Sequence, residues 1–385
     1  MQNEKVHTST KEEALSAEIR IPFENLTRQY QIMREEITVA LDEVLPTGKY
    51  TMGPFLNQFE AEFGAYTGTK YCAGISNGTE ALHLALLACG VRPGDEVITV
   101  PNTYIATVFA ITYTGATPVF ADVDPVSFNL DPEQVEAHIT PRTKAILPVH
   151  MYGHPVDMDP ILTLARKHHL YVVEDAAHAH GALYKGRKAG ALGDVGCFSF
   201  YPTKVMGAYG DGGAVTVDDP QLNERLRQLR YMGQRVKYNH EIIGYQQRLG
   251  DLQANILRVK LRHLEQSIAD RRRAAATYYR LLQGTPVIAP REVGDVRHVY
   301  YMYTIRAPRR DQLQTFLAER GIGSSPVYPL PVPYQPAYAF MGHKDGDFPV
   351  SDAHYKEILC LPMFPELSDD EIGEVTQAIR DFYGG

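Results

Sequence analysis

The fold is decided by the stretch Cys197-Phe198-Ser199-Phe200-Tyr201-Pro202-Thr203-Lys204, which the turn Gly210-Asp211-Gly212-Gly213 and the run Ala214–Val217 follow. The two apolar runs, Cys197–Phe200 and Ala214–Val217, predict buried strands. Pro202 and the glycine-rich turn indicate a constrained, closely packed backbone around Lys204. A lysine at a sheet edge is usually a solvated surface group. Open α/β sheets, however, place their ligands just past strand ends, so Lys204 is a candidate functional residue.

Four further apolar runs lie upstream, at Val97–Val100, Pro118–Ala121, Ala145–Val149 and Tyr171–Glu174. Helical patterns accompany them, at Thr79–Gly90, Thr103–Thr114 and Pro160–His169. This alternation predicts an α/β fold with a mostly parallel sheet and helices on both faces. Most of the runs are apolar throughout, as expected of strands that are buried on both faces.

The chain is predicted to contain two domains after a short arm. Residues 1–20 are polar and charged, which indicates a flexible N-terminal arm, and residues 21–252 are expected to form a large domain. Residues 253–385 are expected to form a smaller C-terminal α+β domain. Its predicted elements are a long helix at Gln253–Leu282, a strand at Tyr300–Arg306, a helix at Arg310–Arg320 and a closing helix at Asp369–Tyr383.

The composition argues against several classes of function. A chain of 385 residues with a net charge of −8 lacks the basic surface that nucleic-acid phosphates require, so we expect no nucleic-acid partner. No apolar run approaches about 18 residues, so we expect no membrane span. The cysteines Cys72, Cys89, Cys197 and Cys360 are too widely spaced for a disulfide framework or a zinc site. Met1–Arg20 lacks the apolar segment of a signal peptide, and the expected compartment is therefore the cytoplasm.

Asp175 follows the run Tyr171–Glu174 and has two interpretations. It can cap the segment Ala176-Ala177, which is a common role for aspartate. It can also form an ion pair with a protonated pyridine nitrogen, which keeps such a ring electron-withdrawing. A lysine in a partly dry pocket, as expected for Lys204, has a lowered pKa and can attack a carbonyl carbon.

A phosphate site is predicted where Asn77-Gly78-Thr79 opens a helix, because free N–H groups and the helix dipole attract anions there. A simple helix cap is the alternative, and both roles can hold at once. The Ser199 hydroxyl is suited to the same phosphate. Together with the lysine and the carboxylate, this set matches what pyridoxal 5'-phosphate (PLP) requires.

Three aromatic or imidazole side chains complete the predicted site. Tyr104 is either a stacking partner for the pyridine ring or an ordinary core aromatic. His178 and His180 follow Asp175, but no third ligand cluster accompanies them, so we expect no metal. His178 can instead form a hydrogen bond with the phenolic oxygen of PLP.

Taken in order, these motifs resemble the DegT/DnrJ/StrS family of sugar aminotransferases. The resemblance covers the chain from Ile21 to Tyr383. The motifs that carry it are Ile21–Phe23, Gly48–Pro54, Asn77–Leu82, Pro93–Ile98, Val149–Gly153, Glu174–Gly181 and Ser199–Lys204. It implies a PLP-dependent enzyme of fold-type I, with a mostly parallel sheet of the seven-stranded type, and a homodimer whose active sites are shared between subunits.

The resemblance also implies roles for single residues. Lys204 would form the Schiff base with PLP, Asp175 would pair with the pyridine nitrogen, and His178 would lie near the phenolic oxygen. The other implied cofactor contacts are Asn77, Gly78, Thr79 and Ser199 near the phosphate and Tyr104 on the ring face. Relatives with histidine in place of this lysine are dehydratases, so Lys204 favours a transaminase.

The segment Tyr231–Tyr245 is most similar to the branch that aminates C3 of nucleotide-linked 3-keto-6-deoxyhexoses. In that branch the residues matching Asn239 and His240 reach the partner's active site, Asn239 as a cofactor contact and His240 as a substrate contact. This chain departs from the family twice. The phosphate-contacting Asn is Gln246 here, and both histidines of the family's substrate segment are absent from 327–335, where Tyr328 is the candidate substrate contact.

The expected function is transfer of an amino group from an amino acid, L-glutamate, to a keto sugar linked to a nucleotide, dTDP-3-keto-6-deoxyhexose, in amino-sugar biosynthesis. Three alternatives stay open. The acceptor can be a cyclitol ketone without a nucleotide, or a 4-keto sugar nucleotide. The protein can also be a regulatory or binding relative without turnover, although the intact Lys204 and Asp175 argue against that class.

Overall fold

The computed structural model describes residues 19–384, so residues 1–18 of the predicted arm lie outside the described part of the chain. Its strands, in chain order, are β1 Tyr71–Ile75, β2 Glu96–Thr99, β3 Thr117–Phe120, β4 Thr143–Ile146, β5 Tyr171–Asp175, β6 Leu183–Tyr184, β7 Arg187–Lys188, β8 Val195–Ser199, β9 Gly213–Val217, β10 Gln234–Val236, β11 Asn239–His240, β12 Val296–Arg297, β13 Tyr303–Arg306 and β14 Ile358–Leu361.

The α-helices, in chain order, are α1 Leu26–Val44, α2 Pro54–Thr67, α3 Gly78–Ala88, α4 Ile105–Tyr113, α5 Pro132–Val135, α6 Met158–His168, α7 Pro220–Arg230, α8 Asp251–Leu281, α9 Arg310–Glu319, α10 Pro349–Glu357 and α11 Asp369–Gly384. Short 3-10 turns lie at Leu45–Thr47, Glu136–His138, Met151–Gly153, Val332–Tyr334 and Pro336–Met341. Within residues 19–384, none of the helices combines the length and the apolar character that crossing a membrane requires.

The central sheet has seven strands in the order β1-β9-β8-β5-β4-β2-β3. The pairs β8–β5, β5–β4, β4–β2 and β2–β3 are parallel, whereas β9 runs antiparallel to both β1 and β8. The predicted mostly parallel sheet is therefore confirmed. Its first strand, β1, was not predicted, because Tyr71–Ile75 carries a glycine and a cysteine in place of a continuous β-branched run.

The two largest hydrophobic cores among the described residues support this architecture. The larger one surrounds the sheet and includes Phe63 and Phe198, whose rings meet edge to face with centroids 5.0 Å apart. The smaller one lies in the C-terminal part, where the rings of Tyr278 and Tyr303 stack at 4.7 Å. Helix α8 contributes side chains to both cores. The predicted division between residues 252 and 253 falls in its first turn and stays a prediction.

Helix α8 is joined to α2 by one buried carboxylate. Asp251 accepts hydrogen bonds from the backbone N–H groups of Gly53, Phe55 and Leu56 at 2.9, 3.1 and 3.2 Å. It thereby caps α2, whose own cap residue, Gly53, has no side chain. A Cβ atom on Gly53 would lie 2.5 Å from Oδ1 of Asp251, so the close approach requires glycine.

We predict that Asp251→Ala lowers the free energy of unfolding by about 2–4 kcal/mol, because three backbone donors lose their acceptor where water is excluded. Asp251→Asn keeps one acceptor oxygen and should cost less. Asp311→Ala, at an exposed position, is the control and should stay within about 0.5 kcal/mol of the wild type. Urea unfolding measures all three, and equal losses in Asp251→Ala and Asp311→Ala would contradict the prediction.

Candidate active site

A cavity of about 640 Å³ opens at the carboxyl end of the sheet. Its walls come from the segments after β1, β2, β4, β5 and β8, and from side chains of the C-terminal part. These strands share one direction, so their carboxyl ends meet at a single edge. The cavity collects nine predicted site residues: Asn77, Gly78, Thr79, Tyr104, Asp175, His178, Ser199, Lys204 and Tyr328.

Lys204 lies in the turn after β8, where its backbone N–H donates to the carbonyl of Tyr201 at 2.9 Å. Its Nζ is 4.5 Å from the centroid of the Tyr301 ring. Burial lowers the pKa of Lys204 to about 8, and the carboxylates of Asp175 and Glu24 oppose this effect. The amine is therefore neutral in part of the molecules near pH 8, as a nucleophile or proton acceptor must be.

Glu174 anchors the end of β5 from the side opposite the cavity. Its fully buried carboxylate accepts three backbone N–H groups of the 190–193 turn, each at 2.7 Å. Nε2 of His150 lies 2.8 Å from the same carboxylate. These four contacts occupy both oxygens. Because side chains alternate along a strand, the next residue, Asp175, points the other way and into the cavity.

The Asp175 carboxylate is buried but only partly occupied by hydrogen bonds. Thr107 donates its hydroxyl to Oδ2 at 2.8 Å, and the Ala177 N–H donates to Oδ1 at 3.1 Å. The hydrogen bond from Ala177 is of the kind that a helix-capping aspartate accepts, which is one of the two interpretations of Asp175. The structure has a turn and not a helix after Asp175, however. Burial raises the pKa of Asp175, while these hydrogen bonds and the charge of Lys204 lower it. Such a carboxylate favours a cationic partner, for which a protonated pyridine nitrogen is suited.

His178 lines the cavity as a neutral imidazole. Burial, together with the charges of Lys204 and His180, lowers the pKa of His178 far below its usual value. Its Nδ1 is buried and has no hydrogen-bond partner among residues 19–384, which leaves an unpaired polar atom in the ring that lines the cavity. His180 lies behind it, against the aromatic rings of the core. In the described part of the chain, no group of three His, Cys, Asp or Glu side chains is arranged to hold a metal ion.

The beginning of α3 forms a cradle for an anion. Asn77 caps the helix by accepting the N–H of Glu80 at 2.9 Å. The N–H groups of Gly78 and Thr79 are in the first turn, where no intrahelical acceptor exists. A Cβ atom on Gly78 would lie 2.6 Å from Cβ of Ser199, so glycine lets the Ser199 side chain approach the helix end. The helix cap by Asn77 is thus observed, and it is compatible with an anion site at the same helix end.

Two tyrosines face each other across the cavity mouth. The centroids of the Tyr104 and Tyr328 rings are 5.5 Å apart. Tyr104 is 55% exposed, which is not the environment of a core aromatic and leaves the ring available to a ligand. Next to Tyr328, Val327 and Met302 make the wall apolar where the family's substrate segment carries a histidine.

Three predicted site residues lie away from this cavity. Asn239 and His240 form β11 of an exposed hairpin, and Nδ1 of His240 contacts the carbonyl of Met232 at 2.7 Å. Gln246 is exposed and pairs with Tyr231 through an isolated backbone bridge. The structure therefore does not bring these side chains to the Lys204 of their own chain.

The structure also adds residues that the sequence did not indicate. Thr107, on α4, holds the Asp175 carboxylate. Tyr301 lies under Lys204, and its ring is 4.5 Å from that of His178. Thr107 stands three residues after Tyr104, so a helical turn could have paired them. Tyr301 falls within the predicted strand Tyr300–Arg306, but the observed strand begins at Tyr303 and leaves Tyr301 in an irregular segment.

The residues present fit PLP. One cavity is lined by a buried lysine of lowered pKa, a buried carboxylate, an imidazole ring with an unpaired nitrogen, and a helix end that glycine lets the Ser199 side chain approach. They would hold, in that order, the aldehyde carbon, the pyridine nitrogen, the phenolic oxygen and the phosphate.

Comparison with known proteins gives a consistent result. Residues 31–380 match the DegT/DnrJ/EryC1/StrS aminotransferase family. A pleiotropic regulatory protein of Geobacillus stearothermophilus is 47% identical, over 95% of this chain and 99% of that protein. The dTDP-3-amino-3,4,6-trideoxy-alpha-D-glucose transaminase of Streptomyces venezuelae is 46% identical, over 94% of this chain and 96% of that protein. The crystal structure of S. venezuelae DesV in complex with a ketimine intermediate has a TM-score of 0.93 at 45% identity, covering 95% of this chain and 99% of that one.

Sequence, fold and cavity agree with these relationships, and the family's aminotransferases depend on PLP. The chain therefore belongs to the DegT/DnrJ/EryC1/StrS aminotransferase family and is a PLP-dependent aminotransferase.

Proposed function

We propose that the enzyme transfers the amino group of L-glutamate to C3 of a dTDP-linked 3-keto-6-deoxyhexose in amino-sugar biosynthesis. The observation that carries the proposal is the meeting of Lys204, Asp175 and the beginning of α3 in one cavity. The printed name of the S. venezuelae relative, a transaminase of a dTDP-linked amino sugar, supports the class of acceptor.

Bound PLP supplies the electron-withdrawing ring that makes the Cα–H bond of an amino-acid donor acidic. Lys204 would bond the cofactor at rest and, once released, would accept the Cα proton at Nζ and return it within the cavity. The low pKa that burial gives Lys204 suits both tasks. Asp175 would keep the pyridine nitrogen protonated, and Thr107 would orient the carboxylate.

The remaining cavity residues would position the cofactor and the acceptor. Gly78, Thr79 and Ser199 would bind the phosphate, helped by the positive end of the α3 dipole. Tyr104 would stack on the ring, and Tyr328 would contact the sugar. The apolar surface beside Tyr328 suits an acceptor that lacks a hydroxyl group there, as a deoxy sugar does.

The proposed enzyme is a homodimer in which each subunit completes the other's site. The support is that Asn239, His240 and Gln246 lie outside their own chain's cavity on an exposed surface. Apolar side chains accompany them, with Tyr238 80% and Ile243 90% exposed. Such side chains next to polar site residues suit an interface with a second copy.

Two further parts of the proposal concern organisation. The proposed large PLP-binding domain is residues 21–252 and the proposed smaller domain is residues 253–385. One large hydrophobic core lies mostly in each, and helix α8 contributes to both. The proposed compartment is the cytoplasm, and the four buried, unpaired cysteines are consistent with a reducing environment.

A regulatory protein is the second candidate, because one relative carries that name. Catalysis requires the lowered pKa of Lys204 and a buried Asp175 carboxylate that favours a cationic partner. A protein that only binds a ligand needs neither feature, so both favour an enzyme with turnover. A cyclitol ketone and a 4-keto sugar nucleotide are the alternative acceptors that the absent histidines leave open.

The function is tested with a panel of acceptors. Enzyme converted to its amine-loaded form with L-glutamate should regain the visible absorbance of the lysine-bound cofactor when a dTDP-linked 3-keto-6-deoxyhexose is added, and not with a cyclitol ketone. Lys204→Ala is the matched control and should stay folded, bind PLP without a covalent bond and show no multiple turnover. A response to the cyclitol ketone alone would overturn the acceptor, and repeated turnover in Lys204→Ala would overturn the role of the lysine.

Asp175→Asn should lower kcat by about 10²–10³, or about 3–4 kcal/mol, because a neutral amide cannot stabilise a pyridinium. Cofactor retention should change little, since the phosphate cradle is separate. Steady-state kinetics and equilibrium dialysis of PLP measure the two effects. A rate within about threefold of the wild type, well short of that loss, would show that Asp175 only fixes the turn.

Shared sites are tested by mixing two inactive variants. Lys204→Ala and His240→Ala chains, each impaired alone, should recover part of the activity when mixed, because one hybrid site is then intact. The dimer interface should exceed about 2,000 Å² of buried area, as expected of obligate pairs. If mass spectrometry shows subunit exchange and no activity returns, the sites are not shared.

A further inference from the structure

Tyr301 lines the cavity but has no role in the reaction as proposed above. It lies between β12 and β13, so it reaches the cavity from the C-terminal part of the chain, whereas Lys204 and His178 come from the segments that follow β8 and β5. The residue is only 4% exposed. An aromatic side chain is thus buried against two of the groups that the reaction uses.

The backbone of Tyr301 is fixed from two sides. Nη1 of the buried Arg271, on α8, donates to the Tyr301 carbonyl at 3.2 Å. On the other side, a Cβ atom on Gly153 would lie 3.2 Å from the Tyr301 nitrogen, so the turn that follows β4 packs directly against this segment. The Gly153 carbonyl also accepts the N–H of Val299 at 3.1 Å. The ring therefore occupies a defined place in the cavity wall.

Three side chains contact the Tyr301 ring or its hydroxyl. The hydroxyl is 3.4 Å from that of Thr203, and the ring of His178 lies at a centroid distance of 4.5 Å and an angle of 40°. Nζ of Lys204 lies over the ring at 4.5 Å from its centroid. Burial raises the pKa of Tyr301, so its hydroxyl stays neutral. The ring thus offers an uncharged aromatic face to the lysine amine.

Carboxylates and imidazoles also act on the Lys204 amine. The charges of Asp175 and Glu24 raise its pKa. Burial lowers the pKa of His178 far below its usual value and that of His180 to about 3, so both imidazoles are neutral. An aromatic face differs from all four, because it favours an ammonium ion without adding a charge of its own.

We propose that Tyr301 is a positioning residue for Lys204, whose ring face holds Nζ in place and stabilises its ammonium form when the amine takes up a proton. The negative face of an aromatic ring attracts a cation, and this attraction is stronger where water is excluded. The inference rests on the proposed role of Lys204 in proton transfer, and it requires no contact between Tyr301 and substrate.

The chain offers a matched pair for the test. Lys260 on α8 is also buried, and its Nζ lies 4.3 Å from the centroid of the Tyr209 ring. This amine donates to Oε1 of Gln29 at 2.7 Å, and burial lowers the pKa of Lys260 to about 8. If ring faces stabilise the ammonium forms, each lysine should respond to the loss of its own tyrosine, so that Lys204 responds to Tyr301 alone.

The titration of both lysines is measured in one experiment. The full-length protein, freed of PLP, is labelled with trace acetic anhydride across a range of pH, and mass spectrometry quantifies the peptides that carry Lys204 and Lys260. Both midpoints should lie near pH 8 in the wild type. In Tyr301→Leu the Lys204 midpoint should fall by about 0.5–1 pH unit, with labelling at pH 7 about three- to fivefold faster, because the ammonium form loses its aromatic partner. Tyr301→Phe keeps the ring and should stay within about 0.2 pH unit of the wild type.

Tyr209→Leu is the control, and it should lower the midpoint of Lys260 but not that of Lys204. Tyr301→Met fills the space with a flexible apolar side chain, and it replaces Tyr301→Leu if that variant lacks the circular dichroism spectrum of the folded protein. Water that enters in place of the ring would raise the Lys204 midpoint, which is the opposite sign. The inference is overturned by a Lys204 midpoint that rises or stays unchanged without the ring, by an equal fall in Tyr301→Phe, or by an equal fall in Tyr209→Leu.

Single-turnover kinetics separate this inference from the proposed function. The loss of visible absorbance on addition of L-glutamate follows the donor half of the reaction and needs no acceptor. At about pH 9.5, where a free Lys204 amine is neutral in every variant, Tyr301→Leu should slow this step by about three- to tenfold, because the proton that Nζ accepts makes it a cation. Tyr301→Phe should stay within about twofold of the wild type. An unchanged rate in Tyr301→Leu would overturn the positioning role.

The two proposals can fail independently. If the Lys204 midpoint and the donor rate both fall in Tyr301→Leu but no acceptor supports turnover by the wild type, the substrate proposal fails and the role of Tyr301 stands. If the wild type turns over the dTDP-linked sugar and neither quantity changes in Tyr301→Leu, the role of Tyr301 fails alone.

Discussion

The active site depends on the burial of the Glu174 carboxylate. A carboxylate without water is costly unless its oxygens are fully hydrogen-bonded. Three backbone N–H groups of the 190–193 turn and the His150 ring meet that requirement at 2.7–2.8 Å. They hold the end of β5 in one position. Because side chains alternate between the two faces of a strand, Asp175 then points into the cavity. The structural carboxylate of Glu174 thus positions the functional carboxylate of Asp175.

Around Asp175 the protein keeps ionisable groups in a state that favours proton exchange. Burial raises the pKa of Asp175, while it lowers that of Lys204 to about 8. Groups whose pKa values approach the working pH exchange protons with the least penalty. The same burial makes His178 neutral, so that it can bond a ligand oxygen without adding a charge.

The cavity of one chain contains the groups for cofactor chemistry, but it does not contain every residue that the family resemblance assigns to the active site. Asn239 and His240 lie on an exposed hairpin and Gln246 lies in the irregular segment that follows it, beside exposed apolar side chains. The proposed homodimer would account for both observations. The differing names of two relatives of similar identity, a regulator and a transaminase, show that overall similarity does not settle turnover. Turnover depends on site residues such as Lys204 and Asp175 and not on overall similarity.

Local composition marked six of the seven strands of the central sheet, all but β1. Short runs such as Tyr171–Glu174 and Ala214–Val217 are apolar because both faces of the sheet are covered, so local composition alone marked them as strands. The order of motifs from Asn77 to Lys204 marked the ligand site, because parallel strands end at a common edge. Only the tertiary structure decided what surrounds those residues. Thr107 and Tyr301 reach the site from a helix face and an irregular segment, and no local pattern records contacts between residues so far apart in sequence.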